Sequence, residues 1–316
     1  MGVLMVLVEG LTKYYGATRA IHNLNFRLEK GEVVGLLGLN GSGKTTALRI
    51  LAGTLLPTAG SVKINGIDLL ENPLEVKGRI GFLPETPPLF GEMTVRAYLE
   101  FVGQLKGLTR KKTRERLAKV GAQTQIEEVR DEIIDRLSYG YRKRVGIAQA
   151  LLHDPDLLLL DEPAGGLDPI QIVEIRQTLR NLQGSQTVLI SSHFLSEISQ
   201  ICDRLLVIQD GEIVGQGTEG DLAKRFTERL KVHIEVRGRQ DEAVTLLKGF
   251  EGVEEVKPEK VAGEVLAFSL TLSHDVREAL CRALVEKRFG LLAMMRTDLE
   301  LEEVFLKLME ERERAS

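Results

Sequence analysis

An α/β core of parallel strands, carrying a helical subdomain and followed by a smaller α+β domain, is what this sequence of 316 residues predicts. Three observations carry that prediction. Apolar strand-like runs alternate with helix-like segments over most of the chain, as in a parallel α/β sheet. Helical periodicity alone fills about Thr94 to Leu152. Beyond about Leu230 the order becomes strand, helix, strand, strand, helix, strand, the sequence of a ferredoxin-like βαββαβ sandwich. A length of 316 residues suits two domains at roughly 100 to 200 residues each. They are assigned to 1–225 and 226–316, with the helical subdomain at about 90–153.

The elements follow in chain order. The apolar start MGVLMVLVEG is short, lacks a basic flank and meets Glu9, so it is read as a buried first strand rather than a signal peptide. EVVGLL (32–37) is a strand, followed by a glycine-rich turn and TTALRILAG, a helix closed by Gly53. SVKING (61–66) and RIGFLP (79–84) are strands ending in turn residues, and EMTVRAYLEFVGQL and RERLAKVGAQ are helical. LLLL (157–160), TVLISS (187–192) and RLLVIQDG (204–211) return as strands, alternating with helices around Ile170–Leu182 and Leu195–Cys202. GDLAKRF is helix-like. The second domain is read as KVHIEVRG, DEAVTLLKGF, GVEEVKP, EVLAFSLTL, DVREALCRALVEKRFG and LLAMMRT, with a last helix, LELEEVFLKLMEERER, whose Leu299, Leu301, Val304, Phe305 and Leu308 share a face.

Composition narrows the classes of function. No apolar stretch approaches about 18 residues, so a membrane role would need a partner. Cys202 and Cys281 stand far apart without metal-ligand spacing, which fits a reducing compartment and a packing role. Residues 226–316 hold 15 basic and 19 acidic side chains, and the rest of the chain is balanced, the opposite of a nucleic-acid-binding appendage. The densest basic run, RKKTRER (110–116), is read as a solvated helix face.

Four segments carry chemistry. GLNGSGKTT, Gly38 to Thr46, fits the pattern G-x-x-x-x-G-K-[ST] between a strand and a helix. Backbone amides around Gly38, Asn40, Gly41, Ser42, Gly43 and Thr46 would converge on phosphates, Lys44 would reach the β and γ phosphates, and Thr45 would offer its hydroxyl to Mg²⁺. In LLLLDEPAGGLD (157–168) an apolar strand delivers Asp161 and Glu162 to its C-terminal edge, where open α/β sheets bind ligands. Asp161 suits Mg²⁺, and Glu162 suits a water attacking a phosphate, which favours hydrolysis over transfer. His193 ends the strand TVLISSH at the same edge if the strands are neighbours, with a contact to the γ-phosphate. His22, His153, His233 and His274 are read as structural or surface. LSYGYRKR (137–144) opens a helix with Ser138 and Gly140; such an entrance is either a plain cap or an anion site.

GLNGSGKTT, LSYGY, LLLLDEP, GLD and His193, in this order, resemble the nucleotide-binding subunit of ATP-binding cassette (ABC) transporters over residues 4 to about 222. The resemblance implies a P-loop ABC-type ATPase core binding ATP and Mg²⁺ in a homodimer, with LSYGY as the family's signature. Ser138 and Gly140 would then bind the γ-phosphate of ATP held by the other subunit, while Tyr139 and Tyr141 depart from the signature's Gly and Gln. It further implies Tyr15 as the ring stacked on adenine, Asp168 among the nucleotide-site residues, and Glu85 where the family carries a Gln that touches Mg²⁺ and the transporter domain. A carboxylate there can meet a cation but cannot donate a hydrogen bond. YGYRKRVGIAQAL and LEEVFLKL are similar to type-2 ABC exporters. The expected protein is therefore a cytoplasmic ATPase, peripheral to the inner face of the membrane, that drives a separate permease and binds no nucleic acid. The alternative is a soluble ABC ATPase of the ribosome or DNA; a single cassette without long heptads speaks against it. The C-terminal domain is expected to be regulatory or to support the dimer.

Overall fold

The computed structural model describes residues 3–182, 186–218, 220–222, 230–259 and 265–296. The chain divides into two compact units, Met1–Thr218 and Glu219–Ser316, and each is described by itself. The expected final helix and its stripe from Leu299 to Leu308 lie outside the described residues, as does most of GDLAKRF.

Unit 1 is built on two sheets. The first is antiparallel, formed by β1 (Leu4–Tyr15), β2 (Thr18–Glu29), β4 (Ala59–Ile64) and β5 (Ile67–Asp68) in the order β2-β1-β4-β5. The second holds β3 (Val33–Leu37), β6 (Ile80–Leu83), β7 (Leu157–Asp161), β8 (Thr187–Ser192), β9 (Arg204–Gln209) and β10 (Glu212–Gly217) in the order β10-β9-β3-β8-β7-β6. All its pairings are parallel except β9 with β10. β3, β7 and β8 are buried along their whole length, which explains their unbroken apolar runs. At roughly 2 kcal/mol for each fully buried leucine, Leu157 to Leu160 alone anchor β7 strongly.

The reading of the sequence missed β2. Leu24, Phe26 and Leu28 alternate with polar residues, but Ile21 is out of phase with them. Asn23, at φ 49°, takes up the odd residue as a bulge, so the alternation restarts there.

Helix α1 (Lys44–Leu51) sends Ala47, Leu48, Ile50 and Leu51 into the core shared by the two sheets. α2 (Pro73–Gly78) follows the first sheet. The helical segment is α3 (Val95–Leu105), α4 (Arg110–Thr124) and α5 (Tyr139–Leu151). α6 (Pro169–Arg180) and the short α7 (Leu195–Ile198) complete the unit. The side chains of Thr94, Thr109, Ser138 and Asp168 accept the amides of Ala97, Lys112, Tyr141 and Gln171. Such caps contribute about 1 kcal/mol each and set where α3 to α6 begin.

The basic run 110–116 is not solvated throughout. Arg116 is buried, and its guanidinium donates to the carbonyls of Leu151 and Leu152 and pairs with Asp154 at 2.9 Å. It satisfies the orphan carbonyls at the end of α5, so this arginine belongs to the interior.

Unit 2 contains β11 (Leu230–Arg237), α8 (Gln240–Lys248), β12 (Val253–Glu259), β13 (Val265–Leu272), α9 (Arg277–Glu286) and β14 (Gly290–Arg296). The strands form one antiparallel sheet in the order β12-β13-β11-β14. Alternation in β11 sends Val232, Ile234 and Val236 onto one face, where they join Leu247 of α8 and Leu280 and Leu284 of α9 in a separate core.

Candidate active site

β3, β8 and β7 are neighbours in that order, so the segments following them emerge at one sheet edge. The loop 38–46 follows β3, His193 follows β8, and Glu162 follows β7. A cavity of about 500 Å³ opens there, lined among others by Asn40, Gly41, Lys44, Thr45, Glu162 and His193. Gly43, Thr46 and Glu85 also border it.

Two glycines of the loop answer to geometry. Gly43 has φ 106° and caps α1 from the left-handed region. Gly38 is closely overlain, and a Cβ there would stand 2.4 Å from the carbonyl oxygen of Ile208. The Lys44 ammonium donates to the carbonyls of Gly38 (2.7 Å) and Leu39 (3.2 Å) and lies 3.3 Å from Glu162 Oε1. Both side chains of this ion pair are buried.

Glu162 is held through Oε2 and its backbone, while its buried Oε1 faces the Lys44 ammonium without a hydrogen bond. Its Oε2 is 2.9 Å from His193 Nδ1, so the two strand ends meet, through a contact between side chains that the sequence did not announce. Its backbone has φ 46°, a left-handed geometry that costs a β-carbon-bearing residue about 1 kcal/mol or more, and Pro163 follows it. Both of its backbone polar groups are tied: the amide donates to Ser191 Oγ (2.9 Å), and the carbonyl accepts from Lys143 Nζ (3.0 Å). Ser191 Oγ in turn donates to Asp161 Oδ1 at 2.6 Å, in keeping with the pairing of Asp161 with Ser191 between β7 and β8. Asp161 Oδ2 is buried and has no hydrogen-bond partner; the Ser42 hydroxyl is in the same condition. These two oxygens, and that of the exposed Thr45 at the second position of α1, are of the hard kind that Mg²⁺ takes. Among the described residues no group of three or more His, Cys, Asp and Glu could hold a metal ion.

Lys143, which the reading of the sequence passed over, is fully buried in α5. Burial pushes its ammonium below the usual lysine range, against the opposing pull of the Glu85, Asp161 and Glu162 carboxylates. Its signal in the sequence was a lysine standing at helical spacing from Gly140, Ile147 and Ala150, all buried. Ser191 had only a fainter signal, a hydroxyl in an otherwise buried strand.

Tyr15, Ser138, Gly140 and Asp168 do not line the cavity. Tyr15 ends β1, half exposed, with the Lys13 ammonium 5.4 Å above its ring. Ser138 caps α5 through its contact to Tyr141 N at 3.3 Å and stays exposed, while Gly140 is buried against Gln171. Asp168 caps α6 at 2.9 Å. Tyr139 does line the cavity, where a Cβ on Gly166 would stand 3.2 Å from its ring.

The model of the family described as "ABC transporter" matches residues 21–165. The bacitracin transport ATP-binding protein BcrA of Bacillus licheniformis is 35% identical over 77% of this chain and 78% of its own. The linearmycin resistance ATP-binding protein LnrL of Bacillus subtilis is 29% identical over 96% of this chain and 98% of its own. Among solved structures, the dimeric post-hydrolysis state of the ATP-binding cassette MJ0796 with ADP and Pi is 27% identical, with a TM-score of 0.62 over 68% of this chain and 98% of that one.

Proposed function

Because the chain belongs to the ABC transporter ATP-binding family, we propose that this ATPase uses Glu162 to activate water and spends the cycle on driving a separate membrane permease in the export direction. The observation that carries the reading is one buried carboxylate set between Lys44 Nζ at 3.3 Å and His193 Nδ1 at 2.9 Å, beside Asp161. Lys44 exchanges its carbonyl and carboxylate partners for the β and γ phosphates, with the amides of the 38–46 loop completing the cradle. Glu162, released from that ion pair, accepts the proton of the water whose oxygen attacks the γ-phosphorus, and the bond to the β-phosphate oxygen breaks to leave ADP. His193 orients Glu162 and contacts the γ-phosphate. Thr45 and Asp161 would hold Mg²⁺, with Glu85 at its border; when bound, the ion supplies positive charge to the phosphate oxygens.

The entrance of α5, exposed at Ser138 with Gly140 buried behind it, suits a second role, completing the site of another copy through these two residues. The dimeric cassette MJ0796 supports this reading by similarity. Export is supported by the bacitracin-transport and linearmycin-resistance relatives. No helix among the described residues is long and apolar enough to cross a membrane, so membrane contact is assigned to the permease. Residues 226–316 are assigned an accessory role, and no nucleic-acid partner is proposed.

The test is Glu162→Gln. ATP binding is retained, turnover is lost, and a nucleotide-dependent dimer accumulates in sedimentation, whereas Lys44→Ala loses binding as well. Hydrolysis by Glu162→Gln at the native rate refutes the mechanism.

A further inference from the structure

Lys143 brings its ammonium, through a fully buried side chain, to two carbonyl oxygens that are distant in the sequence: Glu85, 2.5 Å away, and Glu162, 3.0 Å away. Glu85 follows β6 and Glu162 follows β7, so one side chain of α5 fastens both strand ends. The Tyr139 ring, one turn earlier on α5 and beside Ser138, lies 5.5 Å from the same ammonium. Burying an ammonium is costly unless it is matched by acceptors and opposite charge, and a methionine would fill the same space without that cost. Here the match is made by the two carbonyls and by the carboxylates of Glu85, Asp161 and Glu162.

What the ammonium holds is a strained residue. Glu162 sits at φ 46° just before a proline, where the following ring already restricts its backbone. Ser191 pins its amide at one end, and at the other Lys143 shares the carbonyl with the Gly165 amide, 3.1 Å away. Without the ammonium the carbonyl keeps only the Gly165 amide, a bond inside the same loop, so the loop loses its tie to α5 and can carry the carboxylate away from the water it must align; small misplacements of such a group are expensive. We propose that Lys143 is a positioning residue: it fixes the Glu162 carbonyl and couples Glu162 to the Glu85 segment and to the entrance of α5. Movement at Ser138 or Glu85 is then felt at Glu162 through one ammonium. The inference rests on the assignment of Glu162 to the attacking water.

The experiment uses the full chain. Lys143→Met keeps length and volume but removes the donors, and it should lower kcat about tenfold or more while KM for ATP changes less than about threefold. Lys143→Gln, which keeps an amide donor, should fall between it and the native protein. In the Glu162→Gln background, Lys143→Met should add no further loss, because both substitutions act through one carboxylate. A purely structural lysine would instead lower the melting temperature and leave kcat per folded molecule unchanged. Native kcat in both variants, losses that multiply with Glu162→Gln, or failure of both variants to accumulate as folded protein would each overturn the proposal. Native turnover in Glu162→Gln alone would remove the reading of Glu162 itself, a result separable from any outcome at Lys143.

Discussion

Replacing Ser191 by alanine removes one oxygen atom and two buried hydrogen bonds. Ser191 is 0% exposed; its hydroxyl donates to Asp161 Oδ1 at 2.6 Å and accepts the Glu162 amide at 2.9 Å. The first bond is charge-assisted and is worth roughly 1.5–3 kcal/mol; the second, between neutral groups, is worth roughly 1 kcal/mol. Asp161 loses a donor while its other carboxylate oxygen already has no hydrogen-bond partner, so the alanine leaves a buried charge poorly matched. The sum is about 3 kcal/mol. For a unit of the size of Met1–Thr218, at about 2–4 °C per kcal/mol, the transition should fall by roughly 6–12 °C. Differential scanning calorimetry of the full chain reads this directly, with Ser191→Thr as a control that keeps the hydroxyl. The Glu162 backbone would also be pinned at its carbonyl alone, so kcat for ATP should fall with the melting temperature. A Ser191→Ala protein that melts within about 2 °C of the native one and hydrolyses ATP normally would refute the claim that this hydroxyl holds the two carboxylate residues together.

Two other predictions concern acid stability and the shared site. Burial, with Lys106 and Arg116 nearby, lowers the pKa of His153 from 6.5 to about 4, although its ring donates to the Ile80 carbonyl. The unfolded chain takes up this proton below pH 6.5 and the folded chain resists it until about pH 4. Stability is therefore lost as pH falls through that window, by up to about 3 kcal/mol, and His153→Gln should flatten the dependence of the urea midpoint on pH between 7 and 4.5. Ser138→Arg mixed with Lys44→Ala should recover part of the ATP-dependent dimerisation that each variant lacks alone, because one composite site per mixed dimer stays intact. A mixture that sediments as its components do would leave Ser138 as a helix cap only.

What the sequence determined by itself is what neighbouring residues cause. The strand-loop-helix around Gly38 to Thr46, the apolar strand that ends in Asp161 and Glu162, and the helix start at Ser138 were legible because turn geometry, alternation and capping act over a few residues. The gathering of Lys44, Glu162 and His193 could be expected as a parallel-sheet edge, but the order β3-β8-β7 that brings it about is a tertiary fact. Tertiary structure alone decided what surrounds Glu162. Lys143 reaches the carbonyl of Glu85 across 58 residues and that of Glu162 across 19, and Ser191 reaches the Glu162 amide across 29. No local pattern specifies such partners, since a lysine in a helix and a serine in a strand read alike whether they face solvent or a buried carboxylate. Arg116 shows the same limit: in a basic run it looks solvated, and only the packing of α4 beside α5 turns it into the cap of a neighbouring helix. The chemistry is written in short motifs, whereas its alignment depends on buried polar contacts that exist only once the helices and strands have packed and excluded water.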